Sequence, residues 1–270
     1  MRNRLHELWQ YRDLIRNLVT RDVKVRYRNS LLGIAWSWIN PLLMMAVYTV
    51  VFTVLTGDQD GTPNYPVFIL SALLPWNFCA TAIAQTTNCI LDGAHMIKKA
   101  YFPREILPMT AVASNLINLL LSLPVFFLLA VAMGNPISAW VLLLPIVILI
   151  QTAFVLGLGM LTATLNVFYR DTQIIMNVLL LAWFFLTPVF YSINHVPETY
   201  TVWGMDLAVR RYLQWVNPMA SIIAAYRDLL YYGAPTGWDF LLRTAVTSFA
   251  VLMGGYAVFQ RYSWRFSEEV

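Results

Sequence analysis

The sequence is poor in charged residues and lacks the short motifs of common catalytic and nucleotide-binding sites. Only 12% of its residues are charged, about half of the ~25% typical of a soluble domain. It contains no Gly-Lys dipeptide, which excludes the phosphate-binding loop G-x-x-x-x-G-K-[ST], and no H-E-x-x-H zinc motif. Its three histidines, His6, His95 and His195, are far apart. We therefore predict no catalytic residue, no metal site and no cofactor on this chain.

Only two cysteines are present, Cys79 and Cys89, and both lie in one apolar stretch. Ten residues of helix rise about 15 Å, whereas a disulfide needs Cα atoms within about 7 Å of each other. We therefore expect two inert free thiols. The first thirty residues are polar and basic, so no cleavable signal peptide is predicted.

Long apolar blocks dominate the sequence, in which 59% of the residues are hydrophobic. Each block is long enough for a helix that crosses a bilayer, which needs about 20 residues. The basic residues lie at the ends of these blocks and form no separate patch with aromatic residues, which argues against nucleic-acid binding. The sequence therefore predicts an all-α integral membrane protein with six transmembrane helices, near residues 31–56, 66–90, 105–133, 139–167, 173–193 and 238–260.

A basic segment, residues 1–30, precedes the first predicted span. Its apolar residues recur at helical spacing: Leu8, Tyr11, Ile15 and Leu18. A basic amphipathic helix leading into a span is typical of a helix in the membrane interface. We therefore divide the chain into a cytoplasmic interface segment, 1–30, and a transmembrane domain, 31–270.

The distribution of basic residues predicts the orientation. With a cytoplasmic N-terminus, fourteen of the eighteen Lys and Arg lie on the cytoplasmic side, as the positive-inside rule requires, and the C-terminus lies there too. On the outer side, Arg210, Arg211 and Arg227 could meet anionic lipid or a phosphate-bearing polymer. They could equally pair with Asp206 and Asp228, and we expect this pairing.

The stretch between the fifth and sixth spans, residues 195–237, differs from a simple loop. Asn217 and Pro218 are typical of a helix N-cap and first turn, apolar residues follow at helical spacing, and Gly233 ends the pattern. The predicted helix is too short to cross a bilayer. We interpret the stretch as one or two short re-entrant helices in the outer leaflet. An ordinary surface helix is the alternative.

Five short stretches resemble ABC-2 type permeases that export polysaccharides. They are R-D-V-K-V-R-Y-R-N-S-L-L-G followed by W-S-W-I-N-P-L in 21–42, K-K-A-Y-F-P-R-E-I-L-P in 98–108, N-V-F-Y-R-D in 166–171, W-F-F-L-T-P-V in 183–189 and N-P-M in 217–219. They occur at the order and spacing of that family, and the resemblance covers nearly the whole chain.

This resemblance implies a function that the residues alone do not give. Permeases of this family work as homodimers with two separate ABC subunits that bind ATP and Mg²⁺, and the cargo passes between the two permease copies. The cargo would be a lipid-linked O-antigen, capsule or wall teichoic acid, and the location the bacterial inner membrane. An ATPase partner agrees with the absence of carboxylates in mid-span, because ion-coupled transport usually needs such an acid.

The resemblance also implies contacts to the ATPase on two predicted cytoplasmic loops. The candidates are Lys98, Lys99, Tyr101, Phe102, Arg104, Glu105, Arg170 and Asp171. Aromatic and Arg side chains are common interface anchors. The alternatives are that the three basic residues of the first loop only set the topology, and that Arg170 and Asp171 form a cytoplasmic gate or a local ion pair in a tight turn.

Aromatic residues of the first and fifth spans are candidates to line the path, because flat rings stack on sugar faces and let a chain slide. They are Tyr48, Phe52, Trp183, Phe184, Phe190 and Tyr191. Ordinary packing of the spans is the alternative for each of them.

Three rival functions remain at this point. One is a drug or small-lipid exporter of the same family. The second is a membrane enzyme of lipid-linked glycan assembly, which would need clustered acidic or metal-binding residues near a membrane face, and the sequence has none. The third is a membrane scaffold that transports nothing.

Overall fold

The computed structural model describes residues 9–27, 32–52, 63–99, 102–192, 200–202, 205–207 and 215–270. Within them the chain is helical apart from one short hairpin. The helices are α1 Arg12–Tyr27, α2 Trp36–Val50, α3 Tyr65–Asp92, α4 Ala94–Lys99, α5 Ile106–Ala132, α6 Leu144–Phe168, α7 Thr172–Leu186, α8 Pro218–Leu230, α9 Trp238–Tyr262 and α10 Phe266–Glu269. The strands β1 Tyr200–Val202 and β2 Met205–Leu207 pair antiparallel. The sequence did not predict this hairpin.

Four of the described helices are long and apolar enough to cross a membrane. The first consists of α3 and α4, and the second is α5. The third is α6 with the 3₁₀ turn before it, and the fourth consists of α9 and α10. Their bounds agree with the second, third, fourth and sixth predicted spans. The helices alternate in direction, so α4, α10 and the start of α5 lie at one end of the bundle, and α8 lies at the other. We refer to these as the α4 end and the α8 end.

Of the other two predicted spans, the fifth is a shorter helix: α7 has 15 residues, or about 22 Å of rise, less than the ~30 Å hydrocarbon core of a bilayer. Helix α2 also has 15 residues, but a 3₁₀ turn precedes it and helical turns continue to Phe52, where the described part of this span ends. The prediction that the fifth span continues to residue 193 is wrong, because α7 ends at Leu186. Thr187 is extended (φ −103°, ψ 134°), as expected for a residue that precedes a proline. Residues 53–56 of the first predicted span lie outside the described residues.

Helix α3 forms the centre of the bundle. Seventeen of its 28 residues are buried, because α2, α5, α6, α7 and α8 all pack against it. A polar contact crosses this core: Gln151 Nε2 of α6 donates to the Pro75 carbonyl (2.7 Å), and the Tyr226 hydroxyl of α8 donates to Gln151 Oε1 (2.8 Å). The three helices are thereby fixed to one another.

Helices α6 and α9 approach each other closely through glycines. A Cβ on Gly255 would overlap the backbone of Gly157, and a Cβ on Gly157 would overlap the backbone of Leu252. Small residues of this kind let helix backbones come together in membranes, where dispersion contacts replace the hydrophobic effect as the attraction.

The Asn217–Pro218 helix start is confirmed. Asn217 Oδ1 accepts the amides of Met219 (3.1 Å) and Ala220 (3.3 Å), and α8 begins at Pro218. Ten of the thirteen α8 residues are buried, so α8 packs inside the protein and the surface-helix alternative is wrong. Gly233 follows the helix with φ +61°, a left-handed conformation that glycine adopts without strain.

Candidate functional site

A polar cleft of about 460 Å³ opens between the end of α1 and helices α2, α3 and α5. Its polar lining consists of Arg26, Ser37, Asn40, Asn77, Thr81, Asn115, Asn118 and Ser122. The cleft is unusual because three of the helices around it are otherwise strongly apolar. Polar side chains inside membrane helices avoid lipid and face cavities or partners, so this cleft is the main candidate for a functional site.

Helical spacing produces the polar lining. On α3, Asn77, Thr81 and Gln85 are four residues apart, and on α5, Asn115 is followed by Asn118 and Ser122. Residues three or four apart share one helix face. Each helix therefore carries one polar stripe, and the fold brings the two stripes together.

Arg26, at the end of α1, is hydrogen-bonded to both stripes. Its Nη2 donates to Gln85 Oε1 (3.0 Å) on α3 and to Asn115 Oδ1 (2.9 Å) on α5. Asn115 Nδ2 in turn donates to Gln85 Oε1 (2.7 Å). The charged end of the N-terminal helix thus reaches a buried amide, since Asn115 is only 1% exposed.

The apolar stripe of α1 packs on the protein. Leu18 is buried in one cluster with Ile90, Ile106 and Leu107, and Tyr11 and Ile15 pack against that cluster. Leu18 lies near the start of α5 and Arg26 lies beside Asn115, so α1 follows α5 for about two turns. The position of α1 relative to the membrane interface stays a prediction. Leu8 lies outside the described residues.

Helix α2 connects the polar cleft to a cluster of aromatic rings. Trp36, Asn40 and Met44 line the cleft, and Tyr48 and Phe52 continue the same four-residue spacing toward the α8 end. Two hydrogen bonds fix the start of α2 to α5: Trp38 Nε1 to the Leu121 carbonyl (2.8 Å) and Ser122 Oγ to the Ser37 carbonyl (2.9 Å).

The six aromatic residues predicted from the sequence lie in one cluster. Phe190 stacks on Phe52 with 4.8 Å between ring centroids, and its ring lies 6.4 Å from Tyr48 and 5.6 Å from Phe184. Trp76 of α3 joins Phe184 (5.5 Å) to Trp183 (5.9 Å). Tyr191 contacts Phe190, at 5.5 Å. Phe184 is buried, whereas the other five predicted residues are partly exposed.

Hydrogen bonds fix this cluster at the α8 end of the bundle. Trp183 Nε1 donates to Asn217 Oδ1 (2.8 Å), and the Tyr65 hydroxyl donates to the Phe190 carbonyl (2.8 Å). The end of α7 is therefore attached to the start of α8, and the segment after α7 is attached to the start of α3.

Arg227 fixes the same segment, and its predicted pairing with Asp228 is wrong. Its guanidinium donates to the carbonyls of Val189 and Tyr191 and lies 3.8 Å from the ring centre of Phe68. Neighbours in a helix point in different directions, so Asp228 is on another face. Arg210, Arg211 and the Asp206 side chain lie outside the described part of the chain.

The predicted ATPase-contact residues lie at the α4 end but differ in exposure. Lys98 and Lys99 are exposed on α4, whereas Phe102 and Glu105 are 7% and 4% exposed. Arg104 donates to the Ser263 carbonyl and to Ser267 Oγ (2.6 Å), which joins this loop to the C-terminal segment. Tyr101 lies outside the described residues.

Arg170 and Asp171 are exposed in the turn between α6 and α7. The predicted ion pair between them is absent in this described turn. Asn166 supports the turn instead: its Oδ1 accepts the Gln173 amide (3.2 Å) and its Nδ2 donates to the Thr87 carbonyl (3.0 Å).

The sequence interpretation missed Arg26, Gln85 and Asn115 as site residues. The available signal was the repeat of polar residues on one face of two apolar helices. Their pairing, however, joins residues up to 89 positions apart, which spacing within one helix does not reveal.

Comparisons with known proteins agree on one family. Residues 13–231 match the model of the family described as "ABC-2 type transporter". The chain is 35% identical over 266 residues to the O-antigen export system permease protein RfbA of Myxococcus xanthus, covering 98% of both chains. It is 29% identical over 260 residues to a Klebsiella pneumoniae protein of the same name, covering 95% of this chain and 94% of the relative.

Proposed function

The chain belongs to the ABC-2 type transporter family, and from this premise we propose that it is the membrane permease of an ATP-driven exporter. Its cargo would be a lipid-linked cell-surface polysaccharide of the O-antigen class, as the names of its relatives suggest. Both relatives align along almost the whole chain, which favours this cargo over a drug or small lipid and favours transport over an enzyme or a scaffold.

The observation that carries the proposal is the face of α2 that runs from the polar cleft to the aromatic cluster. Asn40 lies at the polar end of this face and Tyr48 at the aromatic end. A glycan needs polar groups for its hydroxyls and flat rings for its apolar faces, and this face offers both in sequence. In a homodimer, two such faces would enclose a path for the glycan.

The remaining membrane topology belongs to the same proposal. Helices α2 and α7 would complete six spans, with the bilayer thinned locally around the short α7 at a modest cost, and α8 would be re-entrant. Both termini would be cytoplasmic, in the inner membrane of a bacterium. Residues 1–30 would form the cytoplasmic interface segment, and residues 31–270 would form the transmembrane domain.

The energy would come from two ABC subunits that bind ATP and Mg²⁺. Lys98 and Lys99 are exposed at the α4 end and would contact these subunits. Arg170 and Asp171, exposed in the turn between α6 and α7, would make further contacts. Arg104 would transmit the movement indirectly, because it joins the loop to the C-terminal segment. Closure of the ATPase dimer would then shift α4 and the helices that line the cleft.

Deletion of the gene in its host tests this function. We expect full-length lipid-linked polysaccharide to accumulate on the cytoplasmic side and to disappear from the cell surface, with both defects restored by the wild-type gene. The matched control is a strain with an inactive ATPase subunit, which should give the same defects. Normal surface polysaccharide in the deletion strain would contradict the proposal, and the composition of the accumulated polymer would separate O-antigen from capsule or teichoic acid.

A further inference from the structure

The guanidinium of Arg26 uses only one of its three nitrogens for protein contacts. Both described hydrogen bonds come from Nη2, to Gln85 and to Asn115. In the described part of the chain, Nη1 and Nε make no hydrogen bond. Nη1 lies cis to Cδ, so Nη1 and Nε do not form a two-pronged edge, but each keeps N–H donors that can bind the oxygen of an anion.

The two amides hold the guanidinium in a defined orientation. Gln85 Oε1 accepts from Arg26 and from Asn115, and Asn115 also donates to the Ala111 carbonyl (2.8 Å). The acceptors of the triad are therefore oriented toward the Arg26 side chain. A ligand that accepts from Nη1 or Nε would find a fixed guanidinium and would lose little affinity to ordering it.

The charge of Arg26 has no carboxylate partner in the cleft. The described residues that line the cleft include Arg26 and no Asp or Glu. Asp22, one turn earlier on α1, is paired with Arg21 at 3.0 Å. The Arg26 side chain is exposed, so its charge is accessible to an anionic ligand.

A second donor in the cleft lacks an acceptor. Asn77 lines the cleft, and its Nδ2 is buried without a hydrogen-bond partner. A buried donor without a partner destabilises the protein, because it has lost its hydrogen bond to water. The cleft therefore offers excess positive charge and an excess of donors, which a neutral lipid tail cannot satisfy and a phosphoryl group can.

We propose that the cleft binds the phosphoryl group of a membrane lipid through Arg26, with Asn77 as an additional donor. The inference rests on the proposed function, in which the cargo is attached to a lipid carrier. The phosphoryl group could belong to a polyprenyl diphosphate carrier or to an anionic phospholipid. In the first case the cleft selects the lipid end of the cargo, before the glycan reaches the aromatic cluster.

Binding to the permease–ATPase complex tests the site. The complex is placed in phosphatidylcholine nanodiscs, and the binding of radiolabelled polyprenyl diphosphate is measured for the wild type and for Arg26→Gln, Arg26→Lys and Lys24→Gln. Lys24 is exposed on the same helix, so its substitution removes the same charge outside the cleft. Size-exclusion profiles and thermal unfolding check that each complex is assembled.

We expect Arg26→Gln to weaken binding about tenfold or more, because the charge and its charge-assisted hydrogen bond to the phosphoryl group are lost. Lys24→Gln should change binding less than twofold. Arg26→Lys should lie between them, since an ammonium keeps the charge but loses the planar guanidinium that Gln85 and Asn115 position. Unchanged binding in an assembled Arg26→Gln complex would overturn the proposal, as would equal competition by polyprenol, which has no phosphate.

Competition distinguishes the two sources. Phosphatidylglycerol that displaces the probe at equal concentration would assign the site to phospholipid head groups, and resistance to it would assign the site to the diphosphate carrier. Both results support a phosphoryl site. Export in cells is measured separately, by expressing Arg26→Gln in the deletion strain. If this variant restores the surface polysaccharide and binds the probe as the wild type does, the inference is overturned and the proposed function stands.

Discussion

The Trp183 indole donates to Asn217 Oδ1 at 2.8 Å, and the same oxygen caps the first turn of α8. One side-chain atom therefore joins the end of α7, which carries Trp183 and Phe184 of the aromatic cluster, to the start of α8. Asn217 Nδ2 adds a bond to Thr187 Oγ1 (2.9 Å). The aromatic cluster is thus held by a local helix-capping interaction, so a substitution of Asn217 can test it.

Replacement of Asn217 should loosen this junction. We expect Asn217→Ala to lower the stability by about 1–2 kcal/mol, because the N-cap and the Trp183 bond are both lost. Asn217→Asp is the matched control, since its carboxylate still accepts the α8 amides and the indole, and it should lose less. Thermal unfolding in detergent measures the difference. Equal losses in the two variants would show that the cap oxygen is not the important group.

The two adjacent glycines of α9 should respond in opposite ways. A Cβ on Gly255 overlaps the Gly157 backbone, whereas a Cβ on Gly254 meets nothing within 4 Å. Gly255→Ala should therefore cost about 2 kcal/mol or more through overpacking. Gly254→Ala should be neutral or stabilising by up to about 1 kcal/mol, since alanine favours helix. Yield and thermal unfolding of the two variants give the comparison, and similar behaviour of both would contradict the close α6–α9 contact.

Arg227 should be needed for the position of the segment after α7. Arg227→Gln leaves the Val189 and Tyr191 carbonyls without their donor, at a cost of about 1–3 kcal/mol for each unsatisfied group. We expect a lower unfolding temperature and reduced export. Arg261→Gln removes an exposed arginine of α9 and should change neither. An Arg227→Gln protein as stable as the wild type would show that these carbonyls find other partners.

Charge reversal at Lys98 and Lys99 tests the ATPase contact. We expect the double variant Lys98→Glu, Lys99→Glu to lose co-purification with the ATPase subunit. Both side chains are exposed, and they give the last turn of α4 its positive charge. Arg261→Glu changes charge at the same end of the bundle and should retain the partner. A topology reporter at the C-terminus separates lost binding from an inverted protein. Intact co-purification of the double variant would remove these two lysines from the contact.

Local signals predicted much of this fold. The Asn217–Pro218 start and the bounds of α3, α5, α6 and α9 depend on residues adjacent in sequence, so pattern and capping rules find them. The end of α7 was missed although Pro188 was visible, because the apolar run continues past it to residue 193. Hydropathy alone does not distinguish an apolar helix from an apolar extended segment.

Tertiary relations were harder to predict. The six aromatic residues were expected to line one path because flat rings stack on sugar faces, and the structure brings them into one cluster. Arg227 was assigned to its sequence neighbour Asp228, whereas its contacts lie on Phe68 and on the segment after α7. The triad of Arg26, Gln85 and Asn115 joins three helices, and only their packing reveals it.

ATP-dependent movement of a lipid-linked polysaccharide is the most direct test of the central claim. The purified permease and its ATPase subunit are reconstituted in vesicles that carry the lipid-linked O-antigen of the host on one leaflet, and its exposure on the opposite side is followed with a membrane-impermeant glycosidase. The account predicts that the glycan becomes cleavable only with ATP and with both subunits present. A glycan that stays protected, while the same complex hydrolyses ATP, would contradict it.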